Sequence, residues 1–170
     1  DDGGSITVNA GLAATGNGGN IDIATGLSES TSSGAFTFTT PDAGPNGVSG
    51  GFKFTTGTSS AGDSGTFSLT TGDATNGKSG SMLLKIGTGN TGDGGRFELD
   101  VGDTTGADGD GGSITVVAGH SNHASGNNGG SISITAGHTK GSETKDDGGS
   151  ITVNAGLAAT GNGGNIDIAT

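Results

Sequence analysis

Apolar side chains recur along this chain at the second and fourth positions after a glycine, with small or polar residues between them. We call the eleven stretches that carry this pattern the repeat segments: 4–11, 19–26, 34–41, 50–57, 65–72, 80–87, 95–102, 112–119, 130–137, 149–156 and 164–170. Their leading glycines follow one another at intervals of 15 to 19 residues. A regular period of this length is typical of a repeat architecture.

Alternation with a period of two predicts that each repeat segment is a β-strand with one buried face. The predicted structural core consists of the large apolar residues at the two positions: Ile6, Val8, Ile21, Ile23, Phe36, Phe38, Phe52, Phe54, Phe67, Leu69, Met82, Leu84, Phe97, Leu99, Ile114, Val116, Ile132, Ile134, Ile151 and Val153. The closing position of each complete segment is glycine, or proline at Pro41, which suggests a turn with positive φ or a close backbone approach.

The stretches between the segments, which we call the return loops, are rich in Gly, Ser, Thr, Asn and Asp. A seven-residue strand covers about 23 Å and an eight-residue extended return about 25 Å, so that one rung closes on itself. Stacking such rungs pairs each strand with the next in parallel. The sequence therefore predicts an all-β fold, a parallel β-solenoid of eleven flat rungs of about 15 residues, with one apolar strand face and a Gly-rich polar return.

Composition alone would favour disorder. Forty of the 170 residues are glycine, and Leu, Ile, Val and Phe together number only 29. A disordered linker has no reason to keep a register, so the period favours the solenoid. The predicted core is thin, with ladders of like side chains such as Phe36–Phe52–Phe67 adding stacking. Lys85 and Asp100, in one outward column of adjacent rungs, are expected to form a charge pair.

The chain also contains a second, longer repeat. Residues 146–170 reproduce residues 1–25 without a change. We therefore expect one continuous solenoid over residues 1–170, with a nine-rung block at 1–145 and the start of the next identical block at 146–170. The chain has the pattern of a window on a longer tandem array.

The rungs of the type GGSITV, joined by Gly, Asn and Asp turns, resemble the glycine-rich β-solenoid repeats of large secreted proteins. Such repeats occur in bacterial adhesins, phage tail fibres and extracellular proteins of algae. The resemblance covers the whole chain and is architectural. It implies an extracellular location and a role as a shaft, a fibre or an adhesive surface.

Charge and composition exclude several other classes. A net charge of −11 argues against nucleic acid as a partner, and no apolar run reaches the length of a membrane span. The chain has no cysteine and therefore no disulfide or thiolate chemistry. No catalytic constellation or phosphate loop is present, so we expect no enzyme.

Two kinds of metal site are candidates, although no cofactor is required by the pattern. Acidic residues at turn edges could hold Ca²⁺ where stacked carboxylates lie close together, against the alternative that they only form turns: Asp63, Asp93, Asp108, Asp110 and Asp147. Asp103, His120 and His138 share one column on three successive rungs and are candidate ligands of a transition metal, against a plain solvated turn.

The function predicted from these observations is structural: a rigid extracellular filament, stalk or matrix fibre that associates with itself in a tandem array, laterally or end to end. The alternative is an adhesin shaft whose loops around His120, His123 and His138 contact a carbohydrate or a surface. An ice-binding solenoid, with outward threonines such as Thr37 and Thr39, ranks below both because charged residues interrupt the face. The Ser/Thr-rich loops are candidate carriers of O-glycans.

Overall fold

The computed structural model describes residues 2–122, 127–141 and 146–169. These ranges contain no helix and no strand, and the chain there is irregular coil with bends and turns. The prediction of a parallel β-solenoid was therefore wrong. The chain falls into two units, Asp1–Leu83 and Leu84–Thr170. Both contain the same local arrangement of repeat segments and return loops.

The return loops explain why no parallel solenoid forms, because the two ends of a loop meet. The N–H of Gly19 donates to the carbonyl of Gly11, and the N–H of Gly34 donates to that of Gly26, at 2.9 and 3.0 Å. Four pairs in the second unit repeat this bond at 2.8 to 2.9 Å: Gly102/Gly112, Gly119/Gly130, Gly137/Gly149 and Gly156/Gly164. We call each such meeting of a closing residue and the next leading glycine a neck. In a parallel solenoid, each loop runs back along its strand, so that the start of the next segment lies beside the start of the previous one. Here the start of the next segment lies beside the end of the previous one.

Each neck is also a packing contact between a glycine and the sixth residue of the preceding segment. A Cβ on Gly19 would lie 3.4 Å from Cβ of Ala10 and 3.1 Å from the nitrogen of Gly11. The same contact recurs where hydrogen bonds are not formed, for example at Gly80, 3.2 Å from Cβ of Thr71. The leading glycines are thus needed for close approach. Among the described residues only Gly62 and Gly92 have a positive φ, and both lie in return loops.

Contacts between neighbouring segments follow the order of the chain. The rings of Phe38 and Phe52 are 5.7 Å apart, and those of Phe54 and Phe67 are 5.6 Å apart. The fourth position of one segment therefore contacts the second position of the next. The expected ladder Phe36–Phe52–Phe67 is not formed, because unlike positions of neighbouring segments face each other.

The exact sequence duplication measures how much one segment covers another. Ile6 is 94% exposed, whereas Ile151, the same residue in the same local sequence but preceded by another segment, is 54% exposed. The fourth position of a segment shows the same effect. Ile168 is 92% exposed, whereas Ile23, the equivalent residue of the duplicated sequence but followed by another segment, is 68% exposed. Each segment thus shields its immediate neighbour, as expected of a quasi-one-dimensional repeat.

This shielding does not produce a core. No hydrophobic residue of the described chain is buried. The total accessible surface is 17,036 Å², against about 7,400 Å² for a folded monomer of this mass and about 23,000 Å² for its unfolded chain. The predicted buried face was accordingly wrong, since its members are all more than half exposed: Ile6, Val8, Ile21, Ile23, Phe36, Phe38, Phe52, Phe54, Phe67, Leu69, Met82, Leu84, Phe97, Leu99, Ile114, Val116, Ile132, Ile134, Ile151 and Val153. The return loops carry too few apolar residues to cover them.

The necks are testable by amide hydrogen exchange. Gly19→Ala should open its neck, because the added Cβ meets Gly11 and Ala10, and exchange at residue 19 should speed up about fivefold after correction for intrinsic rates. Gly16→Ala, in the same loop with nothing within 4 Å, is the matched control. The duplicate neck at Gly164 should stay unchanged in both variants. Equal exchange rates in the two variants would contradict the role of the leading glycine.

Candidate functional site

The acidic residues predicted as calcium ligands all lie at the surface. Asp63, Asp93, Asp108, Asp110 and Asp147 are exposed. Among the described residues, no group of three or more His, Asp or Glu side chains is placed to hold a metal ion. Calcium in proteins takes six to eight oxygen ligands. The structure therefore does not bring these carboxylates together, and calcium binding stays a prediction for titration calorimetry to test.

The histidine column is likewise not assembled. Asp103, His120 and His138 are exposed, and in the described ranges they form no group that could hold a metal ion. His123, which the adhesin alternative includes, lies outside the described residues. The transition-metal site stays a prediction without a geometric basis.

The side-chain bonds that do form are local. Arg96 donates to the Glu98 carboxylate, and both side chains are well exposed. These residues are two apart in the chain, so the pair is a local contact. An exposed pair of this kind contributes about 0–1 kcal/mol. The expected Lys85–Asp100 pair is not formed in the described part of the chain.

Hydroxyl groups organise the return loop at 27–33. Ser28 Oγ accepts a hydrogen bond from the N–H of Thr31 at 2.9 Å and lies 2.9 Å from Thr31 Oγ1. At the neck that closes this loop, Thr25 Oγ1 donates to the carbonyl of Gly34 at 3.0 Å. These bonds shape the loop, and the prediction of O-glycans on it stays a prediction.

No cavity is found in the described ranges, so no enclosed site competes with the repeated surface of the segments themselves. That surface combines two features: exposed apolar side chains at the second and fourth positions, and backbone groups without partners. Seven backbone-to-backbone hydrogen bonds are formed among the described residues, six at necks and one at a turn. Folded proteins form roughly one hydrogen bond per residue. The segment interiors therefore offer both apolar area and free N–H and C=O groups.

The sequence contained an unrecognised signal for the necks. The sixth position of the repeat segments is Ala or Thr in most copies. The structure gives the reason, because the next leading glycine packs on this side chain. At Ile86, where the residue is larger, a Cβ on Gly95 would lie 2.7 Å from Cγ2, the tightest approach at any neck of the described residues.

Comparison of the chain with protein-family models, with curated proteins and with solved structures finds no match. Within the ranges that the structure describes, no helix has the length and apolar character required to cross a membrane.

Proposed function

We propose that this chain is a structural repeat protein whose copies associate through their repeat segments into an extracellular filament or matrix fibre. The observation that carries the proposal is the exposure, at regular intervals, of large apolar side chains that the chain does not bury by itself. A soluble monomer rarely exposes contiguous apolar patches larger than a few hundred Å². The extracellular location rests on the resemblance to secreted glycine-rich repeats.

The exposed surface area is large enough for association. The chain exposes about 9,600 Å² more than a folded monomer of its mass, taking 17,036 Å² minus about 7,400 Å². A standard stable interface buries about 800 Å² on each partner. One copy therefore has enough uncovered surface for several lateral contacts, as a fibre requires.

The backbone supports the same conclusion. Residues between the leading and closing positions make no backbone-to-backbone hydrogen bond in the described ranges. Extended segments with free N–H and C=O groups are templates for pairing with another chain. A second copy presents the same segments at the same intervals, so that several segments of two copies match at once.

Repetition multiplies weak contacts. Once one segment of a copy has paired, the next is held nearby at a high effective concentration. Segments of 1–25 and 146–170 are identical, so a copy displaced by 145 residues finds the same partners at the overlap. Staggered pairing, which lengthens a fibre, is therefore possible beside in-register pairing.

Sedimentation velocity over a concentration series, followed by negative-stain electron microscopy, tests the proposal. We expect the sedimentation coefficient to rise with concentration and fibres to appear in the associated fraction. A single species that stays monomeric up to millimolar concentration would overturn the proposal. A monomer that is retained on immobilised glycans would instead support the adhesin alternative.

A further inference from the structure

We infer that four of the five Asn-Gly pairs of this chain are sites of spontaneous deamidation, and that a turn shields the fifth. The four reactive asparagines are Asn17, Asn76, Asn128 and Asn162, and the shielded one is Asn46. The inference is independent of the proposed association. It assigns a chemical modification to the return loops.

The reaction needs only water. The backbone nitrogen of the glycine attacks Cγ of the asparagine, a C–N bond forms, and the Cγ–Nδ2 bond breaks. Ammonia leaves and carries away the proton that the backbone nitrogen loses. Water then opens the resulting succinimide at either carbonyl and yields aspartate or isoaspartate. Glycine promotes ring closure because it lacks the side chain that would hinder the attack and restrict the backbone.

The four reactive pairs lie where the chain leaves this geometry accessible. Each asparagine is exposed and lies in a return loop. The attacking nitrogens belong to Gly18, Gly77, Gly129 and Gly163, and none of them donates a hydrogen bond within the described part of the chain. A Cβ on Gly77 would meet nothing within 4 Å, and on Gly18, Gly129 and Gly163 it would meet only one carbonyl oxygen, at 3.7, 3.6 and 3.1 Å. The nitrogen is therefore free to turn toward its asparagine.

The Asn46–Gly47 pair differs in one observable bond. The N–H of Gly47 donates to the carbonyl of Gly44 at 3.1 Å, which closes a four-residue turn over Gly44, Pro45, Asn46 and Gly47. No non-glycine residue of the described chain has a positive φ, so the turn is of type I. Attack by the Gly47 nitrogen on Cγ of Asn46 requires this bond to break. Deamidation there should be about two- to tenfold slower than at the other four sites.

The chain contains its own controls. Asn17 and Asn162 occupy identical local sequences, so they should react at the same rate. Asn20 and Asn165 are each followed by isoleucine, whose branched side chain hinders ring closure, and they should stay intact over the same period. These internal standards make absolute rates unnecessary.

The experiment uses the full chain, incubated dilute at neutral pH and 37 °C, digested with trypsin at intervals and analysed by mass spectrometry with fragment-ion localisation. We expect a mass increase at Asn17, Asn76, Asn128 and Asn162, equal rates at Asn17 and Asn162, and slow reaction at Asn46. In concentrated urea the five rates should converge, because the Gly44–Gly47 turn is lost. Pro45→Gly, which loosens the turn, should raise the Asn46 rate toward the others.

Three results would overturn the inference. Four Asn-Gly sites as stable as Asn20 would show that the loops block the reaction. An Asn46 rate equal to the others in native buffer would show that the turn does not protect. A slow Asn46 that stays slow in urea and in Pro45→Gly would assign its stability to local sequence.

Discussion

A triple variant that replaces Phe38, Phe52 and Phe54 by serine is expected to associate about 100- to 1,000-fold more weakly per lateral contact. A little more than half of each ring is exposed and available to a second copy. Full burial of a phenylalanine contributes about 1.5–3 kcal/mol, so half burial contributes about 1–1.5 kcal/mol, and three rings together about 3–4 kcal/mol. Such a loss corresponds to two to three powers of ten in a dissociation constant. Sedimentation velocity on the variant and the parent chain measures the change.

The control variant carries serine at three exposed apolar residues of the return loops, Leu12, Leu27 and Val48. These are even more exposed than the rings but lie outside the second and fourth positions of the repeat. We expect the control to associate like the parent chain. Equal weakening in both variants would show that association is non-specific and does not use the repeat. Amide exchange at the neck of Gly149, in the other unit, checks that neither variant alters the chain elsewhere.

Association is expected to increase steeply as the pH falls from 7 toward the isoelectric point of about 4.2. At pH 7 each copy carries a net charge of −11, so that neighbouring copies repel one another. The net charge approaches zero toward the isoelectric point, and the repulsion between copies is lost. Added salt should act in the same direction at constant pH, because the Debye length shrinks from about 30 Å at 0.01 M to about 3 Å at 1 M. We expect the light scattering of a fixed concentration to rise about tenfold or more over this range of salt.

Sodium chloride and calcium chloride at equal ionic strength distinguish screening from a specific site. Equal scattering in the two salts indicates screening alone. A much stronger effect of calcium would support the candidate ligands Asp63, Asp93, Asp108, Asp110 and Asp147. Scattering that falls as salt is added would contradict the charge argument, because it would mean that attraction between opposite charges holds the copies together.

The period of the repeat and the positions of its apolar residues are readable from the sequence, and the choice of partner is not. Alternation predicts a strand with one buried face, whereas Ile21 and Ile23 are both exposed and lie in coil. Alternation does not predict whether the start of the next segment lies beside the start of this segment, as in a parallel stack, or beside its end. That choice depends on the return loops, and loops rich in glycine satisfy both geometries. The neck between Gly11 and Gly19 decides it through one hydrogen bond and one contact.

The candidate sites illustrate the same limit. Asp103, His120 and His138 occupy equal positions of the repeat, and such residues lie close together only if the rungs stack in register. Without stacking, equal positions in the repeat lie apart, and the spacing loses its meaning for metal binding. By contrast, the Asn-Gly pairs are readable from the sequence alone. The exposure of the apolar positions and the turn at Asn46 are not, because both depend on what surrounds those residues in the structure.

The hydrogen-bonded necks keep part of the contour length of the chain in closed loops. Each hydrogen-bonded neck joins residues that are between eight positions apart, as at Gly11 and Gly19, and twelve, as at Gly137 and Gly149. A pulling force that breaks one such bond releases the loop behind it, about 27–41 Å of extended chain. Necks that open one after another would dissipate mechanical work while the covalent chain stays intact, and they would close again when the load is removed. We expect the chain to lengthen under load first at the glycines that form the necks.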